Sequence, residues 1–329
     1  MADVAREAGV SHQTVSRVLN AHPSVRGETR ARVLAAIDKL GYRRNPAARA
    51  LVTRNSRTFG VVSVDTTLYG PASTVYGIER AARSAGYFVS IVNLTSVDTT
   101  GMRDALDFLA DQGVDGVIVL APQRSAAQAL TDLPIGIPAV VIEGGQAGDV
   151  SVVCVDQVAG GRLATEHLLS LGYETVWHVR GPSDWLEAEG RMAGWRTAIE
   201  DAGLEAPEPL AGDWSPHSGY EAGAALAREP DVTAVFVAND QMALGVLRAF
   251  SERGIRVPEQ VSVVGFDDIP ESAFFSPPLT TVRQDFGAVG RRSIEILLRR
   301  IEGEGPGERL VVPPSFVHRN STARPRPPV

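Results

Sequence analysis

Acidic and amide residues that could bind a small hydroxylated molecule recur directly after short apolar runs of the sequence. They are Asp65, Glu143, Asp156, Asn239, Asp240, Asp267 and Asp268. Carboxylate and amide oxygens accept hydrogen bonds from hydroxyl groups, and an aromatic face such as that of Trp214 or Phe286 covers the apolar side of a sugar ring. Because a single acid is more often a loop cap or a turn residue, the residue types alone leave both interpretations open.

A second group of residues, near the N-terminus, suits the recognition of DNA bases. His12, Gln13, Ser16 and Arg17 fall on one side of a short helical pattern. A glutamine can form two hydrogen bonds with adenine, and an arginine pairs with guanine or with a phosphate. These side chains could therefore read DNA if the chain presents them from a helix that fits the major groove.

The elements around this second group follow the order helix, short turn, helix. Apolar residues at helical spacing predict a first helix over 2–8, Gly9 favours its termination, and Ser11 can cap the next helix. A third helix is predicted over about 28–40, with Gly41 ending it. A turn with glycine between two helices is typical of the helix-turn-helix, whose second helix enters the major groove. The alternative interpretation is a small three-helix bundle with a polar surface.

The distribution of charge supports a DNA-binding head. The whole chain carries a net charge of -7, which by itself argues against binding to nucleic acid. Residues 1–54, however, contain ten basic and four acidic side chains and are net +6, while the remainder contains 22 basic and 35 acidic side chains and is net −13. A small basic segment joined to a large acidic one is typical of a nucleic-acid-binding module fused to another domain.

Composition excludes several classes of protein. The 329 residues are 44% hydrophobic and 22% charged. This length suffices for two or three domains, whose hydrophobic cores would need no disulfides or metal ions for stability. The single cysteine, Cys154, excludes an internal disulfide framework. No apolar run approaches the roughly 18 residues of a membrane span, and the first residues lack the apolar segment of a signal peptide. We therefore expect a cytoplasmic protein with no membrane partner.

From Thr58 onward, short runs rich in β-branched residues alternate with helical stretches. The predicted strands are 59–64, 88–92, 116–120, 139–142, 152–155, 176–179, 234–237 and 261–264. The predicted helices include 75–85, 160–171, 193–202, 219–228 and 243–253. This alternation indicates parallel βαβ units, and strands that are apolar throughout indicate sheets covered on both faces. In such sheets ligands bind beyond the carboxyl ends of the strands, which is where the acidic and amide residues lie.

The segment between these two regions is short and rich in alanine. Asn45 suits a helix N-cap and Pro46 the first helical position, and the residues up to Val52 favour helix. A helix this short does not form in isolation, so it would need support from DNA or from a second copy of the chain. Composition alone does not distinguish such a helix from an ordinary linker.

Two stretches resemble one known family closely. DVAREAGVSHQTVSRVLN and TRARVLAAIDKLGYRRNPAARAL are similar to the headpiece and hinge helix of the LacI/GalR family of transcriptional regulators. The resemblance implies a helix-turn-helix domain over 1–44 and a hinge over 45–56, with Leu51 wedged into the minor groove. The positions that it implies in DNA binding are His12, Gln13, Thr14, Ser16, Arg17, Asn20, Asn45, Ala48 and Leu51.

The headpiece departs from the family at two places. The chain begins almost inside the first helix, whereas family members usually have several residues before it. We therefore expect either a start farther upstream or a reduced affinity for DNA. Arg26 stands where many members have a small capping hydroxyl.

The rest of the chain resembles the ligand-binding core of the same family, in GDWSPHSGYEAG, VANDQMALG, VSVVGFDD and PPLTTVRQDF. The resemblance implies a periplasmic-binding-protein-like α/β core over 57–324, made of two parallel-sheet subdomains with crossovers near 156, 284 and 312, followed by a disordered tail over 325–329. The positions that it implies in ligand binding are Leu68, Pro71, Glu143, Arg191, Trp214, Asn239, Gln241, Asp267 and Phe286.

Three positions depart from the sugar-binding pattern of the core. Glu187 replaces a small hydroxyl residue, Ala121 replaces an amide, and Cys154 replaces an aromatic residue. Glu187 could contact a hydroxyl group of the ligand or could neutralise Arg191, and both interpretations stay open.

The resemblance implies a homodimeric repressor that binds a pseudo-palindromic DNA operator and is released by a saccharide, galactoside-like as a first expectation. Dimer rather than tetramer is expected because the chain stops before the family's leucine-rich tetramer helix. The alternative is a regulator whose DNA binding is strengthened by a purine or a phosphorylated metabolite. A transport protein is a weaker alternative, because the chain lacks a signal peptide and has a basic head. A sugar hydrolase is also weaker, because Asp267 and Asp268 are neighbours and are poorly placed to flank one bond. No catalytic residue, cofactor or metal site is expected.

Overall fold

The structure, a computed structural model, describes residues 1–20, 22–42, 55–94, 97–131, 136–144, 150–305 and 307–325. The chain divides into two compact units, Met1–Ser56 and Arg57–Val329. Three of the positions expected in DNA binding, Asn45, Ala48 and Leu51, lie outside the described residues, as does the end of the chain from residue 326.

The first unit folds as a helix-turn-helix with a third supporting helix, which confirms the prediction. Its described helices are α1 (Ala2–Ala8), α2 (His12–Leu19) and α3 (Gly27–Lys39). Gly9 ends α1 in a left-handed conformation with φ of 61°, which costs glycine little. Ser11 caps α2, because the backbone N–H of Thr14 donates to its hydroxyl over 3.1 Å. The helices enclose a small apolar core that includes Val4, Val15 and Val33.

The second unit is an α/β fold, as predicted. Its strands are β1 (Thr58–Ser63), β2 (Phe88–Asn93), β3 (Gly116–Leu120), β4 (Ala139–Ile142), β5 (Ser151–Val155), β6 (Trp177–Arg180), β7 (Leu210–Ala211), β8 (Ala234–Val237), β9 (Ser262–Asp267), β10 (Thr280–Arg283), β11 (Arg309–Val312) and β12 (Ser315–Val317). Its helices are α4 (Tyr69–Ser84), α5 (Thr99–Asp111), α6 (Arg124–Thr131), α7 (Gln157–Ser170), α8 (Leu186–Asp201), α9 (Pro216–Leu226), α10 (Asp240–Glu252) and α11 (Phe286–Ile301), and a short 3-10 helix covers Pro270–Phe274.

The strands form two separate six-stranded sheets. The first has the order β11-β5-β4-β3-β1-β2, and all its neighbouring strands are parallel. The second has the order β12-β10-β9-β8-β6-β7, with only the β10–β12 pair antiparallel. Helices cover both faces of the first sheet: adjacent residues of β3, Ile118 and Val119, belong to apolar clusters on opposite sides of it. Strands buried on both faces explain why the runs in the sequence are apolar throughout.

The chain passes between the two sheets three times. It leaves the first sheet after β5 at Asp156, returns at residues 284–285 between β10 and α11, and leaves again at residues 313–314 between β11 and β12. These passages bring the carboxyl ends of strands from both sheets towards one cleft. Among the described residues, no helix is both long and apolar enough to cross a membrane.

Candidate DNA-reading helix and effector cleft

The side chains predicted to read DNA lie on the polar face of α2. The exposed ones are His12, Gln13, Arg17 and Asn20. Thr14 and Ser16 are partly exposed, and the hydroxyl of Thr14 lies 2.9 Å from that of Ser11. On the opposite face Val15 and Val18 are buried against the other helices of the headpiece. Because the apolar face is fully used in packing, the polar face is left available for another molecule.

The second candidate site is a cleft within the second unit. The start of α4 forms one side, and residues beyond the strands of the second sheet form the other. The lining residues are Leu68, Tyr69, Gly70, Pro71, Trp185, Glu187, Arg191, Trp214, Asn239, Gln241, Asp267 and Gln284.

Seven of the nine positions that the sequence assigns to ligand binding line this cleft. They are Leu68, Pro71, Arg191, Trp214, Asn239, Gln241 and Asp267. Phe286 does not: it begins α11 and packs edge-on against Tyr69, with ring centroids 5.9 Å apart. Glu143 does not line the cleft either, because its carboxylate turns back and accepts a hydrogen bond from the backbone N–H of Val155 over 2.8 Å.

Four polar side chains form a closed ring at the floor of the cleft. Arg191 Nε donates to Gln157 over 2.9 Å, and Gln157 Nε2 donates to Gln284 over 2.9 Å. Gln284 Nε2 then donates to Asp267 Oδ1 over 2.7 Å, which lies 3.6 Å from Arg191 Nη2. Gln157 directly follows the first passage between the sheets, and Gln284 belongs to the second. The ring therefore connects the cleft residues to the segments that join the two sheets.

Arg191 is held by further contacts with a backbone carbonyl and two aromatic rings. Its Nη1 donates to the carbonyl oxygen of Ala238 over 2.5 Å, and the group lies 3.9 Å from the centre of the Phe266 ring and 5.3 Å from that of Trp214. Only 2% of the residue is exposed. Such a fixed guanidinium presents its charge to the cleft in one orientation, which suits recognition better than a flexible cation does.

Trp214 provides the aromatic wall of the cleft. It packs edge-on against Trp185, with ring centroids 5.7 Å apart, and its backbone has a φ of 74°. Gly181 leaves room for the ring, because a Cβ at that position would lie 2.2 Å from Trp214 Cη2. Its indole Nε1 is buried and has no hydrogen-bond partner within the described part of the chain. A buried donor without an acceptor is costly, and a ligand hydroxyl in the cleft would satisfy it.

Asn239 has a structural role besides any contact with a ligand. Its Oδ1 caps α10 by accepting from the Met242 N–H over 2.9 Å, and its Nδ2 donates to the Trp214 carbonyl and to Gln241 Oε1. Both amide hydrogens are thus used, so the second lone pair of Oδ1 is the capacity left for a ligand. Asn239 also fixes the loop that carries the Trp214 ring.

Three of the other strand-end acids serve the fold. Asp156 caps α7 by accepting from Ala159. Asp240 accepts from the hydroxyl of Thr281 and the backbone N–H of Ile269, and Asp268 is paired with Arg283 and Arg319. For these residues the loop-cap interpretation is therefore the one that the structure supports.

Burial changes the acidity of the carboxyl groups at the cleft. Desolvation, helped by the neighbouring charge of Glu187, raises the pKa of Glu143 to about 8. Desolvation raises the pKa of Glu187 to about 7, although Arg191 opposes the shift. Desolvation also raises the pKa of Asp267 to about 6, again against the effect of Arg191 and of the hydrogen bond from Gln284. At neutral pH the cleft therefore holds carboxyl groups that gain or lose protons readily.

Sequence reasoning missed five residues of this site: Tyr69, Gly70, Trp185, Gln157 and Gln284. Gln284 could have been found, because it directly follows a strand, and so could Trp185, in the loop beyond β6. Gln157 lies two residues beyond β5, but it does not line the cleft and acts through the side chains that it contacts, Arg191, Gln284 and Glu143. Among the described residues, no group of three or more histidine, cysteine, aspartate or glutamate side chains could hold a metal ion.

Comparison with known protein families gives two matches. Residues 1–45 match bacterial regulatory proteins of the lacI family, and residues 165–322 match a periplasmic binding protein-like domain. The lactose operon repressor of Escherichia coli (strain K12) is 34% identical over 325 residues, which cover 98% of this chain and 90% of the relative. The HTH-type transcriptional repressor PurR of Haemophilus influenzae (strain PittEE) is also 34% identical, and the match covers 97% of each chain.

Solved structures agree with these matches. A lac repressor dimer bound to operator and the anti-inducer ONPF has a TM-score of 0.89 at 35% identity, with 98% of both chains covered. The complex of the transcriptional regulator CelR with cellobiose has a TM-score of 0.73 at 34% identity, with 97% of this chain and 98% of that chain covered.

Proposed function

Since this chain belongs to the LacI family of bacterial regulatory proteins, we propose that it represses transcription at a pseudo-palindromic DNA operator and is released from it by a saccharide. One observation carries the choice of effector: an aromatic ring, a fixed guanidinium, a carboxylate and an amide converge in a single cleft, as Trp214, Arg191, Asp267 and Asn239. Close relatives are DNA-binding repressors rather than enzymes.

Operator binding is assigned to the headpiece. Gln13 and Arg17 are exposed on α2, and we assign them to base edges in the major groove, while the net +6 of residues 1–54 attracts the phosphates. We assign a minor-groove role to Leu51 by its position in the family pattern. The acidic remainder of the chain repels DNA, so binding concentrates on the headpiece. We place the protein with this DNA in the cytoplasm.

A homodimer is proposed because a two-fold dimer presents two headpieces to a two-fold operator. The relative with the TM-score of 0.89 is a dimer bound to its operator. Large apolar side chains are exposed on the second unit: Phe274 is 87%, Phe88 72% and Tyr76 64% exposed. We propose that a second copy of the chain covers part of this apolar surface.

The cleft suits a saccharide for a physical reason. Arg191 can donate hydrogen bonds to ring hydroxyls, and Asp267 can accept hydrogen bonds from them. The Trp214 ring can lie against the apolar face of a sugar, and the Trp214 Nε1 has no acceptor in the described part of the chain. In the CelR–cellobiose complex, a relative of the same fold binds a disaccharide. Glu187, Ala121 and Cys154 depart from the sugar-binding pattern of the family. A galactoside is therefore one candidate among the saccharides.

The route from effector to operator follows the ring of hydrogen bonds. A sugar that binds Arg191 or Asp267 competes for the bonds that these residues make with Gln157 and Gln284. Gln157 follows one passage between the subdomains and Gln284 lies in another, so we propose that their rearrangement changes the preferred subdomain angle and the support of the hinge. Linkage then requires effector and operator to weaken each other equally, through an effector affinity that differs between the two states.

The test is a thermal-shift screen of mono- and disaccharides on the full chain, followed by operator binding with each ligand that binds. A ligand at a hundredfold excess over Kd stabilises the protein by about 2.7 kcal/mol. We expect at least one saccharide to stabilise the protein and to weaken operator binding. Stabilisation with no change in operator affinity would refute the inducer role.

The second candidate function is a repressor whose operator binding is strengthened by a purine or a phosphorylated metabolite. The relatives named PurR favour it, because they are as similar to this chain as the lactose operon repressor is. The acidity of the cleft disfavours a phosphorylated ligand, since Arg191 is the sole basic residue among those lining it. A purine that tightens operator binding would establish this function in place of the first.

A further inference from the structure

The cleft and its immediate surroundings contain an excess of acid. Glu187 and Asp267 line the cleft with Arg191, and Glu143 lies close enough to interact electrostatically with Glu187 and Arg191. Three carboxyl groups and one guanidinium carry a formal charge of −2 when all are ionised. A neutral sugar does not require such an excess of acidic groups. The excess therefore bears on which saccharide the cleft binds.

Two of the three acids have partners. Asp267 lies 3.6 Å from Arg191 Nη2 and accepts from Gln284, and Glu143 accepts from the backbone N–H of Val155. Glu187, in contrast, has no hydrogen bond and no oppositely charged group within 4 Å among the described residues. It is the cleft acid that has no such partner in the described part of the chain.

The helix α8 directs Glu187 into the cleft. Glu187 and Arg191 are four residues apart, so they lie on one face of the helix, and both line the cleft. Glu189, on another face of the same first turn, instead pairs with Arg124. The acid at position 187 is therefore presented to the ligand by the helix geometry.

Glu187 is not needed to neutralise Arg191. The guanidinium is already bonded through Nε to Gln157 and through Nη1 to Ala238, and its Nη2 faces Asp267. One carboxylate is enough to balance one guanidinium. Of the two interpretations that the sequence leaves open for Glu187, the arrangement of these bonds favours contact with a ligand.

A second, independent observation points to a ligand at the same place. Trp214 is 6% exposed, lines the cleft, and carries an indole N–H with no partner in the described part of the chain. Trp185 lies edge-on to it and lines the cleft as well. Aromatic rings beside a free carboxylate form the usual environment for an ammonium group, while the indole N–H needs a hydroxyl oxygen.

We propose that the effector is an amino-saccharide whose protonated amine pairs with Glu187 while its hydroxyl groups bond to Asp267, Arg191 and the Trp214 indole. This inference rests on the proposed saccharide-inducer function and narrows its ligand class. The ammonium supplies the positive charge that the cleft lacks, and the ring supplies the acceptor that Trp214 lacks.

The experiment compares matched sugars on the full chain by calorimetry at pH 7.5. D-glucosamine and D-galactosamine are each paired with the neutral parent hexose and with the N-acetyl derivative, which keeps the nitrogen but removes its charge. We expect the amine of the preferred sugar to bind roughly 10- to 100-fold more tightly than both uncharged forms, the range of a hydrogen bond between charged groups. The Glu187→Gln variant should lose this preference, so that the amine and its uncharged forms bind with similar affinity.

Matched variants separate charge from folding. Glu200→Gln removes an exposed carboxylate from the same helix and should leave the preference unchanged. If Glu187→Gln does not fold, the comparison of charged and neutral sugars on the unaltered chain still decides. Neutral sugars that bind as tightly as their amines would overturn the inference and leave the saccharide function standing. Failure of every saccharide, with binding of a purine, would refute the proposed function itself.

Discussion

Replacing Glu187 with glutamine should make the stability of the unliganded core less dependent on pH. Burial raises the pKa of this carboxyl from 4.5 to about 7, so between these values the folded protein keeps a proton that the unfolded chain has lost. Stability therefore falls as pH rises through this window and levels off above pH 7. Glutamine imitates the protonated acid and removes the loss.

The magnitude follows from the shift. A rise from 4.5 to about 7 corresponds to about 3 kcal/mol over the whole window, at roughly 1.4 kcal/mol for each unit of pKa. Of this, about 2 kcal/mol falls between pH 5.5 and pH 8. The charged or titratable groups that face Glu187 are Glu143, Asp267 and Arg191, and the first two are themselves acids with raised pKa values.

The assay is urea unfolding at pH 5.5 and pH 8, followed by tryptophan fluorescence. All four tryptophans belong to the second unit, so the signal reports this unit and not the headpiece. The free energy of unfolding of Glu187→Gln, relative to that of the unaltered protein, should rise by about 2 kcal/mol between pH 5.5 and pH 8. Glu200→Gln should show no such growth. A Glu187→Gln difference that stays constant with pH would refute the view that Glu187 is a desolvated acid.

Three further predictions concern the two sites. Gln13→Ala should weaken the free energy of binding to the preferred operator by about 1–3 kcal/mol and relax the base preference at one position. Binding to a set of singly substituted duplexes measures both effects, and an unchanged base preference would show that α2 does not read bases as proposed. Asp267→Ala should abolish the response to saccharide and preserve operator affinity in a mobility-shift titration, whereas loss of both would indicate a folding defect. Operator affinity should fall steeply as salt rises from 50 to 200 mM, because the headpiece displaces counterions from the phosphates, and a nearly flat dependence would contradict the charge division at residue 54.

Much of the fold could be predicted from local patterns. Gly9 and Ser11 are found where the turn and the N-cap of α2 require them, and the apolar runs mark strands because both faces of each sheet are covered. Local patterns did not mark four strands: β7, β11 and β12, which have two, four and three residues and lie at the edges of the sheets, and β10, which has four residues and lies between β9 and β12. Short edge strands carry too little apolar periodicity to be recognised.

The candidate site was predictable where a residue type and a strand end coincide. Asp267 and Asn239 meet both conditions and lie in the cleft. Glu143 meets them too, yet its φ of 60° and its bond to Val155 direct the carboxylate away from the lining. The ring through Gln157 and Gln284 depends on residues 127 positions apart. Such side-chain directions arise from tertiary packing, which no local pattern records.

The most direct test of the proposed repressor is the affinity of the full chain for an operator, measured with and without saccharide. The operator is obtained by selection from random pseudo-palindromic duplexes, and binding is followed by fluorescence anisotropy at constant salt. We expect the effector to weaken operator binding by 5-fold or more, the lower end of typical allosteric coupling at roughly 5–150-fold. The operator should weaken effector binding by the same factor. A saccharide that occupies the cleft but leaves operator affinity unchanged, or strengthens it, would contradict the account.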